Sequence, residues 1–254
     1  MLFLSRELVA SFEELAFQRF EQQLLSHVRE HFPGHVRYLG EQGALRVIRN
    51  GCALAEERGF KSERDLSLYT DLTLMLGAGF DSDPQMVWVP EIMEDPTLTD
   101  PRSRMDALWD QAMLYLEHVL GPDAVLPKRA YERDRHQKDR WRRLVGIGRL
   151  TAMNEHTLLK YFHDIWPEKA EYVGAAALRT LIVQGRETAS RYVSTGVGQA
   201  EFLIHAFLFG HRFHADPQYP WVADILKDKT TGDSHEQIVR IAAAFDTHLN
   251  EALN

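Results

Sequence analysis

Histidine side chains are concentrated in one short stretch of the chain. His211 and His214 are three residues apart, a spacing that places two imidazoles on one face of a helix, and His205 precedes them on the same segment. A pair of this kind binds zinc only when further ligands complete the site. The spacing suggests no third ligand, so the pattern favours surface or capping histidines. We predict no metal site and no cofactor.

Carboxylates are the second side-chain type that could carry chemistry. General acid–base catalysis needs two carboxyl groups in unlike environments. The candidates in the first half of the chain are Glu41, Asp71, Asp81, Asp83, Glu91, Glu94 and Asp95. Nothing in their spacing selects a pair, and clustered acidic residues more often form a solvated face. We predict no catalytic residues, with an enzyme or toxin that uses these carboxylates as an alternative.

The remaining chemical signals are weak. The single cysteine, Cys52, has no partner for an internal disulfide and lies beside Leu54 and Ala55, so we expect a buried, small apolar side chain rather than a nucleophile. The segment Gly146-Ile147-Gly148 follows charged residues rather than a strand and lacks the third glycine of a dinucleotide fingerprint. It is therefore not predicted to bind phosphate.

Charge is distributed unevenly along the chain, whose net charge is −8. Residues 1 to 125 carry −10, residues 126 to 150 carry +6 and residues 151 to 254 carry −4. General nucleic-acid binding requires an extended basic surface rather than one short stretch. No apolar run approaches the ~20 residues of a membrane-spanning helix. We therefore predict no nucleic-acid and no membrane binding, and expect a basic protein partner instead.

An internal repeat organises the sequence. The segment Pro33 to Gly40 shares its Pro-x4-Tyr-x-Gly pattern with the segment Pro167 to Gly174, at an offset of 134 residues. The offset then becomes 133, and Gly77 to Asp95 matches Gly210 to Asp228, including an Asp-Pro-Gln-x2-Trp motif in each. Because Trp, Pro and Gly recur in register, the sequence predicts two copies of one structural unit.

The repeated motif has two interpretations. In the first, Trp88 and Trp221 are exposed anchors for a partner, and Asp83 and Asp216 lie in the same binding loops. In the second, each aspartate caps a turn, the following proline fixes its backbone, and each tryptophan fills the base of its own bundle. Both interpretations stay open, and these four residues are possible partner-binding residues.

Helical periodicity and cap signals predict the all-α class. Ser11-x-x-Glu14 is expected to open a helix that ends before Pro33. Its predicted buried stripe consists of Phe12, Ala16, Phe20, Leu24 and Val28. Further helices are expected from about residue 38 to 59 and from about 62 to 77. No segment combines the two-residue alternation of a strand with hairpin turn residues.

The closing helix of each unit has its own signals. Asp100-Pro101 predicts a capped start and Gly121 a stop in the first unit, and Ser234-x-x-Gln237 predicts a capping box in the second. We expect two pseudo-symmetric helical bundles from an internal tandem repeat, at residues 1–125 and 151–254. A basic connecting helix is expected at residues 126–150, where Arg140 and Trp141 are further possible partner-binding residues.

A pattern of packing and turn residues covers about residues 1 to 120. It includes His31-Phe32-Pro33, Leu39-Gly40-Glu41, Ser62-Glu63-Arg64-Asp65, Leu76-Gly77-x-Gly79-Phe80-Asp81-x-Asp83-Pro84 and Trp88. The pattern resembles helical proteins encoded beside type VI secretion genes, which specify PAAR-type spike-tip proteins and secreted antibacterial toxins. The second unit departs from it, with Ala175 in place of Glu41 and His214 in place of Asp81.

The resemblance implies a non-enzymatic accessory protein, an adaptor or chaperone that binds a type VI secretion toxin or its spike-tip carrier. An immunity protein that neutralises a cognate toxin is the alternative. The first residues lack the basic lead and long apolar stretch of a secretory signal, and one cysteine favours a reducing compartment. We therefore expect a cytoplasmic location in a bacterium.

Overall fold

The structure is a computed structural model that describes residues 6–146, 153–193, 195–228, 240, 241, 243–245 and 247. Within these residues the regular secondary structure is entirely helical, which confirms the all-α class. No helix in the described part is long and apolar enough to span a membrane. Residues 1–125 are called the first unit below, and residues 151–254 the second unit.

The first unit contains five α-helices in the order that the sequence predicts, with one addition. They are α1 (Arg6–His31), α2 (Pro33–Glu57), α3 (Glu63–Leu76), α4 (Trp88–Met93) and α5 (Pro101–Leu120). The short helix α4 lies in the segment expected to be a loop. The basic connecting segment forms α6 (Val125–Gly146).

The second unit contains four further α-helices among the described residues. Its helices are α7 (Glu155–Ile165), α8 (Pro167–Ala189), α9 (Gly196–Phe209) and α10 (Pro220–Lys227). The described residues between 240 and 247 are helical, in the region of the predicted closing helix. The capping box at Ser234 and Gln237 lies outside the described residues.

Local side-chain chemistry explains where several helices begin. The side chains of Ser62 and Asp100 accept hydrogen bonds from backbone N–H groups in the first turns of α3 and α5, and those of Asn154 and Thr195 do the same for α7 and α9. The predicted start at Ser11 is wrong, because α1 already begins at Arg6.

Helix α1 is only half covered. Phe20, Leu24 and Val28 are buried as predicted, but Ala16 is exposed and the exposed fraction of Phe12 is 58%. The predicted stripe is therefore wrong over its first two positions. Periodicity identifies an apolar face but not what covers it, and the core that covers α1 ends at Phe20.

The buried apolar side chains form one cluster that runs through both units. Helix α5 of the first unit packs on α8 of the second, and the Trp166 indole N–H donates to the Val119 carbonyl oxygen across this contact at 3.1 Å. Cys52 is buried in the core, and this burial raises the pKa of its thiol to about 11, so its burial agrees with the sequence interpretation.

Gly77 and Gly210 end the corresponding helices α3 and α9 in the same backbone conformation. Their φ angles are 96° and 97°, a region that L side chains rarely adopt. A Cβ atom on Gly77 would also lie 3.2 Å from the Phe209 carbonyl oxygen of the other unit. Glycine is thus required at the end of α3 for two reasons: its backbone conformation, and the close approach of the Phe209 carbonyl oxygen.

We expect Gly77→Ala to lower the free energy of unfolding by roughly 1–2 kcal/mol, because the left-handed conformation penalises any L side chain. Gly34→Ala is the matched control, since a Cβ at Gly34 meets no atom within 4 Å and helical alanine is favoured over glycine. Urea denaturation of both variants measures the difference. An equal loss in the two variants would contradict this account of Gly77.

Candidate functional site

Two short loops meet where the first and second units contact each other. We call them the paired loops, residues 83–85 and 216–218, each with the sequence Asp-Pro-Gln. Each follows a 3-10 turn, Phe80–Ser82 or Phe213–Ala215, and each aspartate has nearly the same φ and ψ. All four polar side chains of the loops are buried.

Each loop binds the other unit through its aspartate. Asp83 Oδ2 accepts a hydrogen bond from the backbone N–H of His211 at 2.8 Å, and Asp216 Oδ2 accepts one from the backbone N–H of Ala78 at 2.7 Å. His211 is 133 residues after Ala78, as Asp216 is after Asp83. The two contacts are therefore reciprocal.

The glutamines continue the same exchange. The Gln85 side-chain amide donates to the Ala206 carbonyl oxygen, and the Gln218 amide donates to the Thr73 carbonyl oxygen, both at 3.0 Å. These acceptors are again 133 residues apart and lie near the ends of α9 and α3. Each glutamine amide also contacts the aspartate of its own loop. Carbonyl groups near both helix ends thus gain partners from the opposite unit.

The two carboxylates differ in their electrostatics. Burial acts to raise the pKa of Asp83, but the nearby His211 side chain and the backbone N–H groups of Gln85 and His211 outweigh it and lower the pKa. Burial raises the pKa of Asp216 in spite of its hydrogen bonds. The difference arises because His211 Nδ1 lies 3.4 Å from Asp83, whereas Ala78 is the corresponding residue opposite Asp216.

The structure separates the two tryptophans of the repeated motif. Trp88 is 4% exposed, so its ring packs in the core and is not an exposed anchor. Trp221 is half-buried, and its indole N–H donates to the Tyr38 hydroxyl of the other unit at 2.6 Å. The binding interpretation is therefore wrong for Trp88. Asp83 and Asp216 are likewise buried and serve the contact between units.

The corresponding tyrosines also bridge the units. Tyr38 of α2 contacts Trp221, and Tyr172 of α8 accepts a hydrogen bond from the Gln111 amide of α5 at 2.9 Å. The Tyr172 ring packs edge-on against Tyr115, with 5.1 Å between ring centroids. The repeated Tyr thus serves the contact between units in both copies.

The histidines do not assemble into a ligand set. His205 is buried and its Nδ1 lies 2.8 Å from the Glu201 carbonyl oxygen, whereas His211 faces Asp83. Among the described residues, no three His, Cys, Asp or Glu side chains are grouped to hold a metal ion. Burial, with the adjacent charges of His211 and Arg212, lowers the pKa of His214 to about 4.

The carboxylates of the first unit are used in separate contacts. Glu41 is exposed and pairs with Arg29 at 2.6 Å, Asp71 contacts His27 at 2.9 Å, and Asp81 pairs with Arg58. Burial raises the pKa of Asp71 against the opposing effect of His27. Asp83 accepts a hydrogen bond from the backbone of the other unit. These carboxylates therefore do not converge on one site.

Two surface features lie outside the paired loops. One is the amino-terminal half of α1, where Phe12, Leu15 and Phe17 are exposed. The other is an open hollow of about 540 Å³ beside α6, lined by Arg129, Glu132, Arg133, Arg135 and His136. The side chains of Arg140 and Trp141, the possible partner-binding residues of this helix, lie outside what the structure describes.

Comparison of the chain with protein-family models, curated proteins and solved structures finds no match. Function must therefore be argued from the geometry of these features.

Sequence reasoning missed two features of the contact between the units. The first is the hydrogen bonding of Gln85 and Gln218 to the opposite unit, although a glutamine at the same position of both motifs indicated a shared role. The burial of Lys169 was also missed, because a lysine in the first turn of a helix is normally solvated.

We expect Asp83→Asn to lower the free energy of unfolding at pH 7 by about 2–3 kcal/mol, because it removes a charge that the fold favours. Asp216→Asn should cost less, about 1 kcal/mol, because burial already disfavours its charged form. Urea denaturation measures both, with the exposed Asp110→Asn as control. A larger loss for Asp216→Asn would refute the electrostatic difference.

His214 should make the fold sensitive to acid. Its pKa is about 4 in the folded chain against 6.5 when unfolded, so the unfolded chain binds a proton first as the pH falls. The free energy of unfolding should therefore decrease from pH 6.5 to pH 4, by at most about 3 kcal/mol from this residue. The dependence should be shallower in His214→Gln. Parallel curves for the two proteins would exclude this role.

Proposed function

We propose that the chain is a protein-binding accessory protein whose partner docks on the amino-terminal half of α1. The observation that carries the proposal is the exposure of three large apolar side chains within six residues. The exposed fractions are 58% for Phe12, 52% for Leu15 and 38% for Phe17. Clustered exposed apolar groups on a helix are typical of a segment that lies in a partner's groove.

The spacing and charge of this segment describe its partner. Phe12, Leu15 and Ala16 follow the i, i+3, i+4 spacing of one helical face. Residues 6 to 21 carry a net charge of −2 within a first unit that carries −10. A groove with an apolar floor and a basic rim is therefore the complementary surface.

For the identity of the partner, the resemblance to proteins encoded beside type VI secretion genes supports a secreted toxin or its spike-tip carrier. The chain would then act as an adaptor or chaperone that holds this partner before export. The acidic charge of the α1 segment suits a basic partner surface equally well in an immunity protein, so the test below distinguishes the two roles.

We also infer that the chain is a fused pair of duplicated units. Asp83 and Asp216, and likewise Gln85 and Gln218, make equivalent hydrogen bonds to backbone groups of the opposite unit. These bonds support the inference, because a self-complementary contact is what a two-fold related pair produces. Among the described residues, the helix that precedes α8 in the second unit is α7, with 11 residues against 26 in α1.

A photo-crosslinking amino acid placed at Phe12 tests the proposal in cells that naturally express the chain. Illumination should join position 12 to a toxin or a spike-tip protein. The same amino acid at Leu114 is the matched control, since Leu114 is also 58% exposed but lies on α5. Position 114 should give no such adduct. Absence of adducts at position 12, or identical adducts at both positions, would refute docking on α1.

Co-expression with the isolated toxin domain separates the two roles. An adaptor leaves the toxin active, so cell growth stays arrested, and export of the toxin requires the chain. An immunity protein restores growth. In either case, replacing Phe12, Leu15 and Phe17 together by serine should abolish the effect without changing the free energy of unfolding by more than about 0.5 kcal/mol.

A further inference from the structure

A small cavity lies between the two units, next to the paired loops. Its volume is about 120 Å³, and most of its lining side chains are apolar, among them Met75, Met86, Leu116 and Phe209. A cavity of ~150 Å³ is large enough to bind benzene. The space therefore fits a ligand of a few heavy atoms.

Lys169 contributes a cation to this cavity. The lysine is 5% exposed, and its Nζ donates to the Phe207 carbonyl oxygen at 2.5 Å and lies 5.0 Å from the ring centroids of Trp166 and Phe207. No carboxylate forms an ion pair with it among the described residues. Lysine is rarely buried without an anionic partner. Because the Phe207 carbonyl oxygen accepts from one of the three N–H donors of Lys169, the other two can donate to a ligand.

The charge of Lys169 persists in the folded protein. Burial lowers its pKa to about 8, with Asp83 acting weakly in the opposite direction, so the amine is still largely protonated at pH 7. Its position in the first turn of α8 adds to the need for an anion, because the helix dipole disfavours a cation there.

Tyr115 contributes a second polar group. It also lines the cavity and is 3% exposed, and its hydroxyl has no hydrogen-bond partner in the part of the chain that the structure describes. This hydroxyl is therefore free to donate a hydrogen bond to a ligand acceptor in the cavity. An ammonium and a hydroxyl that line the same cavity can each donate to an oxygen of a carboxylate.

We propose that this cavity binds a small monocarboxylate with a short apolar chain, in which Lys169 and Tyr115 hold the carboxylate and the methionines contact the chain. The site binds one negative charge because it offers one cation. Among the described residues, the lining contains no second cation, which disfavours phosphate or a dicarboxylate, because their further charges would be buried without ionic partners. The proposed site is independent of docking on α1.

The first unit provides a natural variant of the site. His35 is the residue that corresponds to Lys169, and it lies beside the carbonyl of Leu74, as Lys169 lies beside the carbonyl of the corresponding Phe207. Histidine is therefore compatible with this position. Lys169→His is expected to keep the fold while it removes the flexible ammonium group.

Butyrate is the probe, and the methionine methyl groups report where it binds. In NMR spectra of the full chain with labelled methionine methyls, titration with butyrate should shift the signals of Met75 and Met86 and leave Met153, outside the cavity, unchanged. Butyramide has the same shape without the charge and should bind at least about tenfold more weakly. For so small a ligand we expect a dissociation constant near the millimolar range.

Three variants complete the test. Lys169→His and Lys169→Met should each weaken butyrate binding by about tenfold or more, and Tyr115→Phe should weaken it roughly five-fold. Their unchanged Met153 signal shows that the fold is retained. Equal binding of butyrate and butyramide, shifts at Met153 as large as those at Met86, or undiminished binding by both Lys169 variants would overturn the proposal.

Discussion

Two buried carboxylates fix the contact between the units. A buried charge is tolerated only when donors surround it, and Asp83 and Asp216 each obtain one of those donors from the opposite unit. The donors are backbone N–H groups next to the ends of α9 and α3, so their positions depend on the left-handed glycines that end these helices. Each loop therefore requires the helix end of the other unit to be in place, and the two units cannot shift independently without exposing unpaired buried groups.

The sequence predicted those features that depend on local chemistry. The ends of α3 and α5 follow from Ser62, Asp100, Gly77 and Gly121, whose side chains or backbone freedom act within a few residues. The repeat register also located the paired loops. The helix α4 was missed because six residues give too short a periodic signal. The sequence could not show which part of a helix the core covers. Phe12 and Phe20 belong to one apolar pattern, yet only Phe20 is buried in the core.

The same distinction applies to the repeated loops. Whether Trp88 was buried or exposed could not be decided from its spacing, because both interpretations require the same residues. Trp88 is buried where α4 packs on α5 and on the 3-10 turn of its own unit, whereas Trp221 is only partly covered and contacts Tyr38 of the other unit. Reciprocity explains why Asp and Gln recur: each copy meets the same packing and hydrogen-bonding demand, so the same side chains satisfy it twice.

Positions where the units differ are therefore more informative than positions where they agree. His211 faces Asp83 where Ala78 faces Asp216, and Lys169 stands where the first unit has His35. Gln85 Oε1 is buried and accepts no hydrogen bond within the described residues, whereas the corresponding Gln218 side chain lies beside His35. In this described part of the chain, Gln85 thus lacks the polar contact that Gln218 makes, and Lys169 is buried without a carboxylate in an ion pair. Packing alone would favour the opposite choice, since both changes cost free energy. The monocarboxylate proposed for the cavity offsets the cost of burying this cation, and this proposal gives the difference between the units a physical reason.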